Sequence, residues 1–190
     1  MPDSDLLPIV LYPDPFLNQK ARPLSDEEFA AGQAEGHDLA RLLERMKATM
    51  RDADGIGLAA PQVGIGLRLF VMQVGEEGGP ALAVFNPELS ELEGAEESEE
   101  GCLSIPEVRA KVKRATKLKL NARDVRGAPF ELTLADLPAR VVQHEYDHLD
   151  GVLFISKIGA AARFLLRRKL GALEDEYKLL KKRRERNRSG

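Results

Sequence analysis

Tryptophan is absent from this 190-residue chain, and with three tyrosines and seven phenylalanines the aromatic fraction is only 5%. So thin a set gives no stacking platform of the kind that grips single-stranded nucleic acid. Cysteine occurs once, at Cys102, so no disulfide can close within the chain. No apolar run approaches the length that spans a bilayer. The opening residues MPDSDLLPIVLYPDP have neither a basic stretch followed by an apolar core nor an Arg-rich amphipathic pattern, which leads to the expectation of a cytoplasmic protein. What is present is ordinary for a globular chain, with hydrophobic residues at 43% and charged residues at 31%. A single domain over residues 1–190 is long enough to bury a core without staples.

Charge is spread unevenly. From Arg163 to Gly190 there are eleven Lys/Arg against four Asp/Glu, so this stretch carries +7 while the whole chain carries −3. The chain reads as an acidic body with a basic helix or tail over about residues 160–190.

From His37 to Ala53, Leu39, Leu42, Leu43, Met46 and Met50 recur at helical spacing and predict an amphipathic helix. Pro8 to Tyr12 reads as a short strand ended by the turn at Pro13 to Pro15, and a polar connection follows to about Gly36. Leu67 to Val74 and Ala81 to Phe85 flank the turn signal Gly75 to Pro80 and read as a hairpin. The acidic segment Glu91 to Glu100 reads as a loop or edge. Val108 to Val112, Lys117 to Ala122 and Phe130 to Leu134 alternate as three further strands, the last pair turned at Gly127 to Pro129. Asp136 is placed as the N-cap of the next helix, with Pro138 in its first turn and Gly151 at its stop. On that helix Leu137, Val141, His144 and His148 fall on one stripe and are expected to point inward. A last helix runs from Ala160 to about Arg184, with Phe164, Leu165, Ala172, Leu173, Leu179 and Leu180 as its apolar side and Gly171 interrupting it. The order predicts an α+β fold, with antiparallel sheets packed around a central helix carrying HExxH.

Three stretches carry chemistry. In His144-Glu145-Tyr146-Asp147-His148 the two imidazoles return to nearly the same helical face, where they can share one cation, and Glu145 beside them can handle a proton. Two hydrogen-bonded core histidines would give the same pattern. Glu100-Gly101-Cys102-Leu103-Ser104 holds the only cysteine, which is open to three roles: buried apolar thiol, nucleophile or metal ligand. A thiolate with two imidazoles makes a set that suits zinc or ferrous iron and leaves a fourth position free. Gly55-Ile56-Gly57-Leu58-Ala59-Ala60-Pro61-Gln62 matches the dinucleotide fingerprint only in its letters. It follows a helix and leads toward a strand, the reverse of the order that fingerprint requires. Small residues there let a backbone approach a ligand, and Gln62 offers a side-chain amide as donor.

In this order and at these separations, GIGLAAPQ, EGCLS and HEYDH closely resemble the three signature motifs of the peptide deformylase family. Gln143 before HEYDH, and Ser104-Ile105-Pro106 after EGCL, resemble its bacterial type. The likeness covers most of the chain, with the differences in Ser25 to Gly36 and in the Gly75 to Pro80 turn. It implies hydrolysis of the N-formyl group from the initiator methionine of new polypeptides, with release of formate. By the same resemblance Cys102, His144 and His148 hold a divalent metal, Fe²⁺ by choice, with Zn²⁺ as the fallback and Ni²⁺ or Co²⁺ as possible substitutes. Glu145 moves the proton, while the Gln62 amide and the Leu103 backbone N–H stabilise the developing oxyanion. Ile56, Leu137, Val141 and the His144 ring line the methionine pocket, and Gly57 and Gly101 offer backbone hydrogen bonds to the peptide. Arg109 and Arg114 order the site or pair with Glu100. The basic C-terminal helix is expected on the ribosome, without sequence-specific nucleic acid binding.

Other readings are a metallopeptidase or amidase built on the same HExxH, a cysteine hydrolase using Cys102, and a metal-stabilised binding module without activity. Tolerance of Glu145→Ala, and survival of a chelator, separate them.

Overall fold

A computed structural model describes residues 6–75 and 79–188. The segment expected as a first strand, Pro8 to Tyr12, is extended but joins no sheet. Its Val10 N–H donates to the Gln62 carbonyl and its Tyr12 N–H to the Ser104 carbonyl, each at 2.8 Å, so it straps two of the three motifs together. Prolines on either side remove the donors that a regular ladder would need.

The polar connection up to Gly36 is structured as well. A 3₁₀ turn at Pro15–Asn18 precedes helix α1 (Asp26–Ala31), whose start is fixed by a capping box between Ser25 and Glu28. The short strands β1 (Gln33–Ala34) and β2 (His37–Asp38) pair with each other, and Asp38 then caps α2 (Leu39–Asp52), the expected amphipathic helix.

Next come β3 (Gly57–Ala59), β4 (Leu69–Gln73) and β5 (Ala81–Glu93); β4 and β5 form the expected hairpin, with residues 76–78 of its turn outside the described residues. The acidic segment read as a loop or edge is strand on both sides of Gly94, ending β5 and forming β6 (Glu96–Cys102), an edge of its two-stranded hairpin. Its partner β7 (Ile105–Arg114) sets Arg114 opposite Glu96, Lys113 opposite Glu97 and Lys111 opposite Glu99. Opposite charges across the ladder offset the poor strand propensity of a glutamate run. Then follow β8 (Lys117–Arg123), β9 (Pro129–Ala135), α3 (Asp136–Leu149) and α4 (Ala160–Arg188).

All strand pairs in these sheets are antiparallel: a five-stranded sheet in the order β3-β4-β5-β8-β9, and the separate hairpins β1-β2 and β6-β7. Helix α3 lies on the larger sheet through Ala139, Val142 and Leu149, which pack with Phe70, Met72 and Leu120. Burying these side chains supplies the main force that seats the helix, since each large aliphatic contributes about 1.5–3 kcal/mol.

Three details of the helices differ from expectation. Ala135 rather than Asp136 is the N-cap of α3, and Asp136 is helical residue one with φ of 54°. Leu137 is 57% exposed, so the inward stripe begins at Val141. In α4 the helix is continuous through Gly171, and the packed side chains are Ala162, Leu166, Leu170 and Leu173, while Phe164, Leu165, Leu179 and Leu180 are exposed. Among the described residues no helix is long and apolar enough to cross a membrane.

Candidate active site

Strand β6 ends at Cys102 and β7 starts at Ile105, so Leu103 and Ser104 turn the chain tightly and leave Cys102 at the hairpin tip. Helix α3 presents His144 and His148 to that tip from successive turns. The Cys102 Sγ is 3.2 Å from His148 Nε2, and one ligand atom from each of Cys102, His144 and His148 lies within 4.8 Å of the other two.

The third motif closes the arrangement from the side. Strand β3 supplies Gly57, and a 3₁₀ turn at Ala60–Val63 carries Gln62, which is almost wholly buried. Its Oε1 accepts from the Ala59 N–H at 2.8 Å, which leaves Nε2 facing Ser104 Oγ at 3.3 Å and Cys102 Sγ at 3.5 Å. The amide is therefore held with its donor end toward the sulfur.

Glu145 is also buried, packed so closely on β3 that a Cβ on residue 57 would stand 2.3 Å from its Oε1. Burial raises its carboxyl pKa to about 7, against the opposing pull of His144 and Arg114. Its Oε2 has no hydrogen-bond partner among the described residues.

Behind His144 stands Glu100, whose two oxygens each take two donors. Oε1 receives Arg114 Nε at 2.9 Å and Arg140 Nη1 at 2.8 Å, and Oε2 receives Arg114 Nη2 and faces His144 Nδ1, both at 3.0 Å. Burial works to raise this carboxyl's pKa, but the hydrogen bonds to His144 and Arg114 hold it near 2. Arg114 reaches on to Asp147 Oδ2 at 2.5 Å, and Lys157 holds the other Asp147 oxygen at 2.8 Å.

The donor set fits a divalent cation. His144 turns Nδ1 to Glu100 and is left with Nε2 for the triad, the arrangement in which a carboxylate fixes a ligand's tautomer. Burial works to lower the His144 pKa, yet hydrogen bonds to Cys102 and Glu100 raise it to about 10, so this point in the protein favours positive charge. Burial and the charge of His144 push His148 the other way, well below its ordinary value, keeping a lone pair available. The buried side-chain nitrogen and oxygen atoms without hydrogen-bond partners among the described residues are Glu145 Oε2 and His148 Nδ1.

Cys102 and His144 line a cavity of about 510 Å³, to whose lining Ile56, Gly57, Gly101, Leu103, Leu137 and Val141 also contribute, while His148 meets the group at the Cys102 sulfur. Val141 is a buried wall, whereas Ile56 and Leu137 are exposed at the rim. Thus every residue singled out for chemistry or for substrate comes to this one place. Arg109 does not reach Glu100; its side chain is 72% exposed and stands 3.8 Å from Glu99 on the same hairpin. Arg114 does. Unforeseen were Arg140 and Asp147, and the central place of Glu100. Arg140 had a readable signal, since it precedes His144 by four residues and His148 by eight on the same helical face.

Residues 6–163 match the polypeptide deformylase family. The chain belongs to that family. A peptide deformylase of Thermotoga neapolitana is 47% identical over 161 residues, covering 84% of this chain and 92% of that protein. The crystal structure of a peptide deformylase from Legionella pneumophila aligns with a TM-score of 0.78 and 38% identity over 94% of this chain and 98% of the other. A plant peptide deformylase structure aligns at 0.81 with 39% identity, over 90% and 91% of the two chains. The family is metal-dependent, and Cys102, His144 and His148 form a Cys/His cluster able to hold an ion.

Proposed function

We propose that Cys102, His144 and His148 hold the metal, that Glu145 moves the proton, and that Gln62 and Leu103 stabilise charge on the substrate. As a member of the polypeptide deformylase family the chain removes the N-formyl group from newly made polypeptides, a metal-dependent hydrolysis. The observation that carries the residue assignment is convergence: a sulfur and two imidazoles within 4.8 Å of one another, with the Gln62 amide donor aimed at the sulfur.

When bound, a divalent cation supplies Lewis acidity and makes water acidic enough to attack near neutral pH. The protein groups do the rest. With its pKa near 7, Glu145 takes a proton at Oε2, the oxygen with no other partner among the described residues, and delivers it to the departing amine. Positive charge placed in the triad favours the ionised form that starts this sequence. As charge grows on the formyl oxygen, Gln62 Nε2 and the Leu103 N–H donate to it from positions fixed beforehand. The methionine side chain enters the cavity against Ile56, Leu137, Val141 and the His144 ring. Gly57 and Gly101 hold the peptide backbone; β3 is an edge strand of its sheet, which leaves one side of its backbone unpaired there.

For the ion we propose Fe²⁺, with Zn²⁺ as the fallback and Ni²⁺ or Co²⁺ as substitutes, all compatible with a Cys/His₂ donor set. Full activity with zinc alone and no gain from anaerobic iron loading overturns that choice. We further propose a single catalytic unit acting in the cytoplasm and docking on the ribosome through α4, where Lys181, Lys182, Arg183 and Arg186 are exposed. Truncation before Lys181 abolishes low-salt co-sedimentation with ribosomes if this is right. The main assignment is tested by formate release from formyl-Met-Ala-Ser. The intact, iron-loaded protein releases formate and Glu145→Ala does not; no release from the intact protein overturns it.

A further inference from the structure

We propose that Arg140 is a positioning residue for the metal centre, the strap that fixes the Cys102 hairpin against the helix bearing His144 and His148. The inference rests on the ligand assignment above. Hairpin β6-β7 is not hydrogen-bonded into the five-stranded sheet; its tip is held by Tyr12 and Gln62 at Ser104, and its position against the two histidines depends further on direct links between the hairpin and α3. Gln143 holds the base of the hairpin through the Ala115 N–H and carbonyl, at 3.0 and 2.9 Å. Between base and tip, Arg140 binds both strands at once: the Glu96 carbonyl on β6 and the Val112 carbonyl on β7, each at 2.9 Å.

The same guanidinium donates to Glu100 Oε1 at 2.8 Å, with the Arg140 side chain 12% exposed and that of Glu100 5%. Arg114 holds Glu100 too, from β7, and reaches α3 only at its far end through Asp147. Arg140 is the cation that ties Glu100 to α3 from a side chain carried on that helix itself, one turn before the His144 ring that Glu100 holds. Its three bonds need the planar fork of an arginine; an ammonium cannot reach all three acceptors in one rotamer. Loss of a ligand's own hydrogen-bond partner typically weakens metal binding about 10- to 100-fold, and Arg140 acts on that partner, Glu100, so the lower end of that range is expected.

The test is Zn²⁺ affinity by chelator competition at fixed pH, on the intact protein and on Arg140→Met, which keeps the stem and removes the donors. Folding is checked by circular dichroism and thermal melting. A folded Arg140→Met with a Zn²⁺ Kd raised more than threefold supports the assignment, with about tenfold expected, and a Kd within threefold of the parent overturns it. Should that variant not fold, Arg140→Lys carries the test under the same criteria, because a lone ammonium leaves at least one carbonyl unserved. His148→Ala in the same assay separates the two levels. If the parent and His148→Ala bind Zn²⁺ equally, the ligand assignment fails. If only the Arg140 variants match the parent, the strap alone fails.

Discussion

Gly57→Ala moves one methyl group into the space beside Glu145, and its consequences follow from distances. The new Cβ would lie 2.3 Å from Glu145 Oε1, 2.8 Å from Cδ and 3.0 Å from Cγ, whereas ordinary contact begins at 3.4 Å. Relief requires Oε1 to retreat by about 1 Å, or β3 to shift against its partner β4. The retreat is the cheaper route, because a carboxylate at the end of a side chain rotates more easily than a strand paired at Gly57 and Met72 moves. Filling a packed interior in this way costs about 1–2 kcal/mol. For a chain of this length that lowers Tm by a few degrees, at roughly 2–4 °C per kcal/mol. Activity is far more sensitive, since a 1 Å misplacement at a reacting group can cost about 10²-fold. The expected outcome is a folded protein with the parent's metal content, kcat reduced about 10²-fold and KM within threefold. Formate release with metal analysis measures all three quantities. A kcat within threefold of the parent would show that the position of Glu145 is not what limits the reaction. Loss of metal in proportion to activity would refute the assignment of the effect to Glu145.

Replacing Gln62 by Glu keeps the acceptor that holds the Ala59 N–H but removes the donor aimed at the site; kcat is expected to fall about 10²- to 10³-fold with metal content unchanged. Retention of more than a tenth of the parent's kcat counts against Gln62 as an oxyanion donor. Arg68→Met breaks the 2.7 Å ion pair with Asp150 and the stacking over Tyr146 that tie β4's approach to the end of α3; a loss of about 2 kcal/mol in denaturant unfolding is expected. No loss would mean that this pair is fully offset by hydration. Tyr12 donates to Glu174 on α4 at 2.8 Å, and burial, then the hydrogen bond and charge of Glu174, raise its pKa to about 12. A raised folded-state pKa makes the contribution complete below pH 10 and lost as pH climbs through 12. The stability gap between the parent and Tyr12→Phe should therefore close between pH 10 and 12; a constant gap across that window disproves the linkage.

Helices α2 and α3 were legible because their signals are local. His144 and His148 share a face through spacing alone, and the apolar period of α2 needs no partner to be seen. The acidic run before Cys102 was not legible, since nothing in Glu96 to Glu100 says strand until Lys111, Lys113 and Arg114 stand across from it. The pairing of Glu100 with Arg114 was legible, and that pair is present; the bonds of Glu100 to His144 and Arg140 were not legible, because they join elements 40 and more residues apart. In α4 the expected Leu173 packs, but Phe164, Leu165, Leu179 and Leu180 are exposed; its packed neighbours Ala162, Leu166 and Leu170 fall with it at i, i+4, i+8 and i+11.

The parts that spacing could not reveal share a physical character: they are contacts between elements distant in sequence, made by charge. Arg114 with Asp147 and Arg140 with Glu100 join a hairpin to a helix across separations of 33 and 40 residues. A buried network of this kind is costly to desolvate and weak as a source of net stability. Its geometry is nevertheless specific, with all four acceptor positions of Glu100 used and one of them given to a ring that also faces the sulfur. An apolar contact at the same interface would hold the hairpin to the helix but leave its register loose, whereas three donors able to share one ion need placing to a fraction of an ångström. The charge cluster behind His144 is therefore explained by the demands of the site in front of it, and stability alone would not select it.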